Sequence, residues 1–389
     1  MRLSALLLIV SVLCCSLPGC AVFHRSHKGE GLAPSASEEQ ATAIKEKEEP
    51  GRPAGPAVSS IAIFPFENLS GSPVPLKSLK ASFSEELTHR GFQVLGEEAL
   101  DKFIVSHRIR YTAGVDKETA QALKKETGVM GVLLTSIELF SEGPVPKIAL
   151  TSRLVSTGDA PAILWVDGVG MTGDDHPGLL GLGLIKDPGL LIHKAFSKVG
   201  ESLAAQVFAG AESKSERTQR KFRPRIAYKS DLGGDQKYTV AIAPFFNKSL
   251  RKHAGDMLAL QFVRALGGFN SFQVIEPGLV RDAFLNARII MDEGVSLTDA
   301  QILFAVLGAD LVLAGEVLDY QDYQGFEGST RVSFTVQLIE KKSRMVVWSS
   351  ESFNRGDEGV YFFDLGKVNT AHTMAVQMAE SIGEMLVKR

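Results

Sequence analysis

Ile61-Ala-Ile-Phe-Pro-Phe-Glu-Asn68 returns 179 residues later (240 − 61) as Val240-Ala-Ile-Ala-Pro-Phe-Phe-Asn247. Each stretch is a run of β-type residues ended by proline, which suits the end or edge of a strand. Working outward, Phe92-Gln-Val94 recurs as Phe272-Gln-Val274, and an offset of 180 then holds through Arg108/Arg288, Gly114/Gly294, Gly128/Gly308 and Val132/Val312. It becomes 183 at Trp165/Trp348 and Gly173/Gly356, and 179 at His193/His372 and Glu201/Glu380. Chance does not keep register over such a length, so the chain is two copies of one fold, at about 58–210 and 237–389.

Both copies predict the same elements. After the first strand, Leu76, Leu79, Phe83 and Leu87 recur at helical spacing. Phe92–Leu95 reads as a second strand and Glu97–His107 as a second helix, with Leu100, Phe103 and Ile104 on one face. In the second copy Ser296-Leu-Thr-Asp299 carries an acidic capping pattern that starts a third helix ending near Gly308. Three strands follow, Gly131–Leu139, Lys147–Ser156 and Ala162–Val169, matched by Asp310–Asp319, Thr330–Glu340 and Met345–Ser352. Arg331-Val-Ser-Phe-Thr-Val-Gln-Leu338 alternates, which predicts one wet face. Closing helices span Leu190–Phe208 and Thr370–Val387. The order βαβααβββα gives an α/β fold, two tandem domains with mixed sheets covered by helices.

Between the copies, residues 211–236 read as a polar, basic linker. Its solvated reading competes with one in which Arg217, Arg220, Lys221, Arg223 and Arg225 contact anionic polymer or lipid. Before the first copy, residues 20–57 are rich in Ser, Glu, Lys, Pro and Ala, and bury too little apolar surface to offset the entropy of ordering. As a flexible tether they reach about 35 Å.

Residues 1–19 have a positive start at Arg2 and an apolar run from Leu3 to Leu13, the pattern of an export signal. That run falls short of the roughly 20 residues that span a bilayer. The tetrad Leu17-Pro-Gly-Cys20 resembles the lipobox of bacterial lipoproteins. The resemblance implies a lipid on Cys20, a mature chain beginning there, and, with Ala21 following, an outer-membrane protein facing the periplasm; the inner membrane is the alternative. The three cysteines are Cys14, Cys15 and Cys20, so the mature chain keeps one thiol and cannot form an internal disulfide. A net charge of −3 provides no global field for nucleic acid.

Ile61–Gly71 and Leu307-Gly-Ala-Asp-Leu-Val-Leu-Ala-Gly-Glu-Val317 resemble signatures of the TolB amino-terminal-like superfamily, which includes CsgG-like secretion lipoproteins and LpoB-like activators. The resemblance implies an envelope protein that works by contact, with a peptidoglycan synthase or a secretion component as partner. The segments Ser141–Pro146 and Gln321–Ser329 are too short for the membrane-inserting hairpins of a CsgG-like pore, and the doubled domain departs from the LpoB-like plan.

Gly168-Val-Gly-Met-Thr-Gly173 fits a dinucleotide-loop spacing, but Asp174-Asp-His-Pro177 follows where a helix should open. Repeat two has Glu351 and Phe353 at the first two glycines, so no cofactor is expected. Asp174, Asp175 and His176 are weak metal candidates, with Asp357-Glu358 echoing the acidic pair, and are read in preference as a polar turn. Leu179, Leu180 and Leu182, opposite Tyr361, Phe362 and Phe363, form apolar loops that serve as packing or as a partner patch. His193 and His372 stand at equivalent places and are read as structural. Serine-hydrolase, zincin and Walker patterns are missing from the sequence. The expected function is a lipid-anchored, non-catalytic binding or assembly module. An oligomeric secretion or scaffold component and a hydrolase using Asp174 and Asp175 are the alternatives.

Overall fold

The structure is a computed structural model that describes residues 58–175, 183–210, 222–230, 232, 236–289, 294–323, 328–360 and 366–387. Both repeats lie within one compact unit, Pro53–Arg389.

In the first repeat β1 (Ser60–Ile63) lies parallel between β3 (Gln93–Val94) and β4 (Gly131–Ser141). Antiparallel β5 (Lys147–Ser156) and β6 (Ile163–Thr172) extend the sheet, and β2 (Glu67–Asn68) pairs beside β4. Helices α1 (Leu76–His89) and α4 (Pro188–Ala209) cover one face, where Leu79, Phe83, Leu87 and Phe196 meet Ile61, Leu150 and Leu154. Helices α2 (Glu97–Ser106) and α3 (Lys117–Thr127) cover the β1/β4 half of the other face, packing Leu100, Phe103 and Leu123 on Ala62, Phe64 and Val132. Burying each such side chain contributes roughly 1.5–3 kcal/mol.

The second repeat repeats this plan with β8 (Tyr238–Ile242), β9 (Phe246–Asn247), α5 (Ala254–Gly267), β10 (Phe272–Val274), α6 (Pro277–Asn286), α7 (Leu297–Leu307), β11 (Leu311–Gln321), β12 (Arg331–Glu340), β13 (Val346–Arg355) and α8 (Ala371–Val387). The shared opening motif has a local reason. Asn68 Oδ1 accepts from the amide and hydroxyl of Ser70, and Asn247 does the same with Ser249, so β2 and β9 each end in the same side-chain-built turn. Ser296 and Asp299 form the expected capping box, and Gly128 and Gly308 end α3 and α7 in the left-handed region.

Two features depart from the sequence reading. Within the expected linker, Ile226–Lys229 is a strand, β7, which pairs antiparallel with β13 and closes that edge of the second sheet. Alternation over only four residues, Ile-Ala-Tyr-Lys, is too short to stand out among the basic residues around it. Arg225, whose side chain is 46% exposed, pairs with Glu358 at 2.9 Å and lies over the Phe353 ring. The second departure is in α5 and α8. Where α1 buries only Leu79, Phe83 and Leu87, α5 is buried on nearly every side, because it lies between its own sheet and the outer face of the first repeat's β5 and β6.

Candidate functional site

The residues with the chemistry of a site lie along this seam. Glu138 is the extra residue of a β-bulge in β4, between Ile137 and Leu139, and a bulge re-aims one side chain out of the alternation. Its carboxylate accepts from the Thr151 hydroxyl at 2.6 Å, the Gln261 amide at 2.9 Å and His372 Nδ1 at 2.9 Å. Glu138 and His372 side chains are each 2% exposed. The carboxylate fixes the proton on Nδ1 and turns the Gln261 amide nitrogen toward itself; His372 Nε2 and Gln261 Oε1 face no partner.

At one flank Arg153, in the middle of β5, pairs with Glu276 at 2.9 Å and donates to the Ala113 carbonyl. Burial opposes the Arg153 charge, but the Glu276 carboxylate outweighs it and holds the guanidinium pKa above its ordinary value. Asp167 binds Arg264 at 2.6 Å and accepts from Ser202. At the other flank Lys147 donates to the Tyr323 carbonyl, and Arg251 lies 3.7 Å from Asp322. Burial pushes the Asp322 carboxyl up, against the Ala371 amide and Arg251. Burial likewise raises Glu67, against its bond from Ser136.

The glycine run has its explanation here. Gly168 and Gly170 lie in β6, not in a phosphate loop, and the start of α8 packs directly on them. A Cβ on Gly170 would meet Thr370, Thr373 (2.9 Å) and the His372 ring, and one on Gly168 would lie 3.0 Å from that ring. The open edge of β6 is blunted as well: Asp167 accepts from the Gly168 amide, Asp175 from the Thr172 amide, and Thr373 donates to the Gly170 carbonyl.

Asp174 and Asp175 form a turn. Both accept from the Thr172 hydroxyl at 2.6 Å, and Asp175 also accepts from Asn369 of the second repeat. Of the echoing pair, Asp357 is held by Arg355 and Glu358 by Arg225. His176 lies outside the described residues, as do Leu179, Leu180, Leu182, Tyr361, Phe362, Phe363 and Cys20. The equivalent histidines part company: His193 is exposed and His372 is at the centre of the seam.

The seam joins unlike surfaces, a sheet face of the first repeat and a helix face of the second, so each repeat keeps one of the two uncovered. On the sheet face of the second repeat, Leu318 stands at the bulge where Glu138 does, Gln337 replaces Arg153, and Glu351 and Phe353 replace Gly168 and Gly170. Leu318 is 39% exposed and Phe353 47%. Equivalent helix positions on the first repeat are solvated: Ser82 for Gln261, Glu85 for Arg264.

No family model and no curated protein matches the chain. Solved structures resemble parts of it. The PelC dodecamer from Paraburkholderia phytofirmans is 18% identical over 40% of this chain and 95% of its own, with a TM-score of 0.27. Lipoprotein GNA1162 from Neisseria meningitidis is 19% identical over 37% of this chain and 99% of its own, at 0.28. The LpoB C-terminal domain from Salmonella enterica is 13% identical over 32% of this chain and 86% of its own, at 0.25.

Proposed function

We propose that this chain is an envelope lipoprotein, held by lipid on Cys20 at the outer membrane and facing the periplasm. In this reading it is a non-catalytic binding or assembly module for another envelope protein, a peptidoglycan synthase or a secretion component. The observation that carries the reading is the seam. Glu138, His372, Arg153 and Glu276, side chains well suited to chemistry, are buried and bonded to one another across the repeats, so they fuse a scaffold and face no substrate. No described helix is long and apolar enough to cross a membrane.

Self-assembly by repetition of the seam is opposed sterically. Glu351 and Phe353 occupy the places where glycines admit α8, so a further copy cannot dock in the same way. Crosslinking in intact cells, with pull-down of the tagged chain and of a Cys20→Ala form, tests the proposal. Recovery of one synthase or secretion subunit, lost with Cys20→Ala, is expected; self-crosslinks alone would overturn it in favour of an oligomeric scaffold.

A further inference from the structure

Helices α5 and α8 are rich in apolar residues and buried on nearly all sides, because protein covers them on two sides. Helix α7 has the same composition, Leu-Thr-Asp-Ala-Gln-Ile-Leu-Phe-Ala-Val-Leu, but only its inner side is covered, by Leu303 and Phe304 packing into the second repeat. Where α3 ends in Lys124-Lys-Glu-Thr127, α7 ends in Phe304-Ala-Val-Leu307, and Val306 is 61% exposed. The turn between β12 and β13 lies beside this helix end: the Lys341 amide donates to the Asp310 carbonyl, and Val346 packs on the same cluster as Leu307. That turn reads Lys341-Lys-Ser-Arg-Met345, is exposed throughout, and carries Met345 at 64%. Its counterpart in the first repeat, Thr157-Gly-Asp-Ala160, has no cation. Glu340 at the turn accepts from the Ser343 amide, and Lys341, Lys342 and Arg344 pair with no carboxylate among the described residues.

We infer that this end of the second repeat, Val306 and Met345 together with Lys341, Lys342 and Arg344, is a docking surface for an anionic membrane. Charge complementarity selects the occupant. Three cations that pair with no carboxylate among the described residues, set beside singly exposed apolar side chains, match a headgroup layer, in which cations meet phosphates and the apolar tips enter the acyl boundary. A chain already tethered to a membrane needs only weak contact there, since the tether sets a high local concentration. The inference does not depend on which protein the module binds.

The test uses residues 21–389, which contain the whole folded unit and lack the lipid-bearing cysteine. Co-sedimentation is measured with vesicles of phosphatidylcholine alone and of phosphatidylcholine mixed with phosphatidylglycerol. Binding to the mixed vesicles only is expected, weakened roughly a hundredfold by K341E with K342E and R344E, at the usual contribution per basic residue. Val306→Asp should weaken it too, whereas K124E with K125E on α3 should not. Equal binding to both vesicle types, or binding that survives the triple reversal, would overturn the inference. So would a dimer in sedimentation velocity that the same substitutions dissociate, which would assign the surface to a second copy.

Discussion

His372, from the last helix of the second repeat, donates Nδ1–H to the carboxylate of Glu138, the bulge residue of the first repeat's sheet, at 2.9 Å and out of contact with solvent. Neither residue has this role in the opposite copy, where Leu318 and His193 face solvent.

Removing one member of that pair leaves the other buried without its counterpart. Glu138→Leu is expected to destabilise the chain by roughly 1–3 kcal/mol or more, the range for buried hydrogen-bonding groups left unsatisfied. Urea unfolding followed by Trp165 and Trp348 fluorescence measures it; a loss below about 1 kcal/mol, as for an exposed pair, would contradict the role assigned to the seam.

Arg153 and Glu276 allow a sharper comparison. Arg153→Met should cost a similar amount, because the Glu276 carboxylate then lacks its cation. Arg153→Met combined with Glu276→Met should recover most or all of the loss, since paired apolar replacements of a buried ion pair are often neutral. A double variant no better than the single one would show that geometry, not charge, is what Arg153 supplies.

Gly170→Phe installs the residue found at the same place in the second repeat. Filling a packed site of this kind costs about 1–3 kcal/mol or more, and here it should wedge α8 off β6. Calorimetry is expected to show one transition for the parent chain and two for the variant. Phe353→Gly, made on the uncovered face, should leave a single transition.

Asp322 and Glu67 set the direction of a pH response. Burial raises both carboxyls, so each binds a proton more readily folded than unfolded. Their contribution to stability is full below the ordinary carboxylate range, near pH 4, and is lost as pH rises through the raised folded values. Asp322→Asn with Glu67→Gln keeps the acceptors for the Ala371 amide and the Ser136 hydroxyl. Unfolding midpoints measured from pH 4 to pH 7 should therefore be flatter in the double variant and higher at pH 7; a steeper fall would reverse the assignment.

Much of the fold was legible because its determinants are local and occur twice. The spacing of Leu79, Phe83 and Leu87, the Ser296 capping box and the alternation of Arg331–Leu338 each specify an element from neighbouring residues alone. The seam was not legible in that way, since Glu138 meets His372 only through packing of one repeat on the other. Its signals were present as differences between the copies: an α5 with fewer charges than α1, an arginine in the middle of β5, and glycines where the second copy has Glu351 and Phe353. Read singly, those glycines fitted a dinucleotide-loop spacing that lacked its helix, and His372 read as an ordinary structural residue. The apolar loops at 179–182 and 361–363 and the metal candidate His176 lie outside the described residues, so the partner patch expected there stays a proposal.

Strand β7 gives the assembly of this protein a direction in time. It is synthesised before any other strand of its sheet, yet its place is beside β13, so it waits for β8 through β13. The outer face of the first repeat waits longer, because α8, which lies against β6, follows every strand of both sheets. Glu276, at the start of α6, can reach Arg153 earlier, whereas the His372 partner of Glu138 and the cover over the bare glycine backbone of β6 arrive only with α8. The first repeat therefore carries a finished sheet through the making of most of the second before that face is concealed.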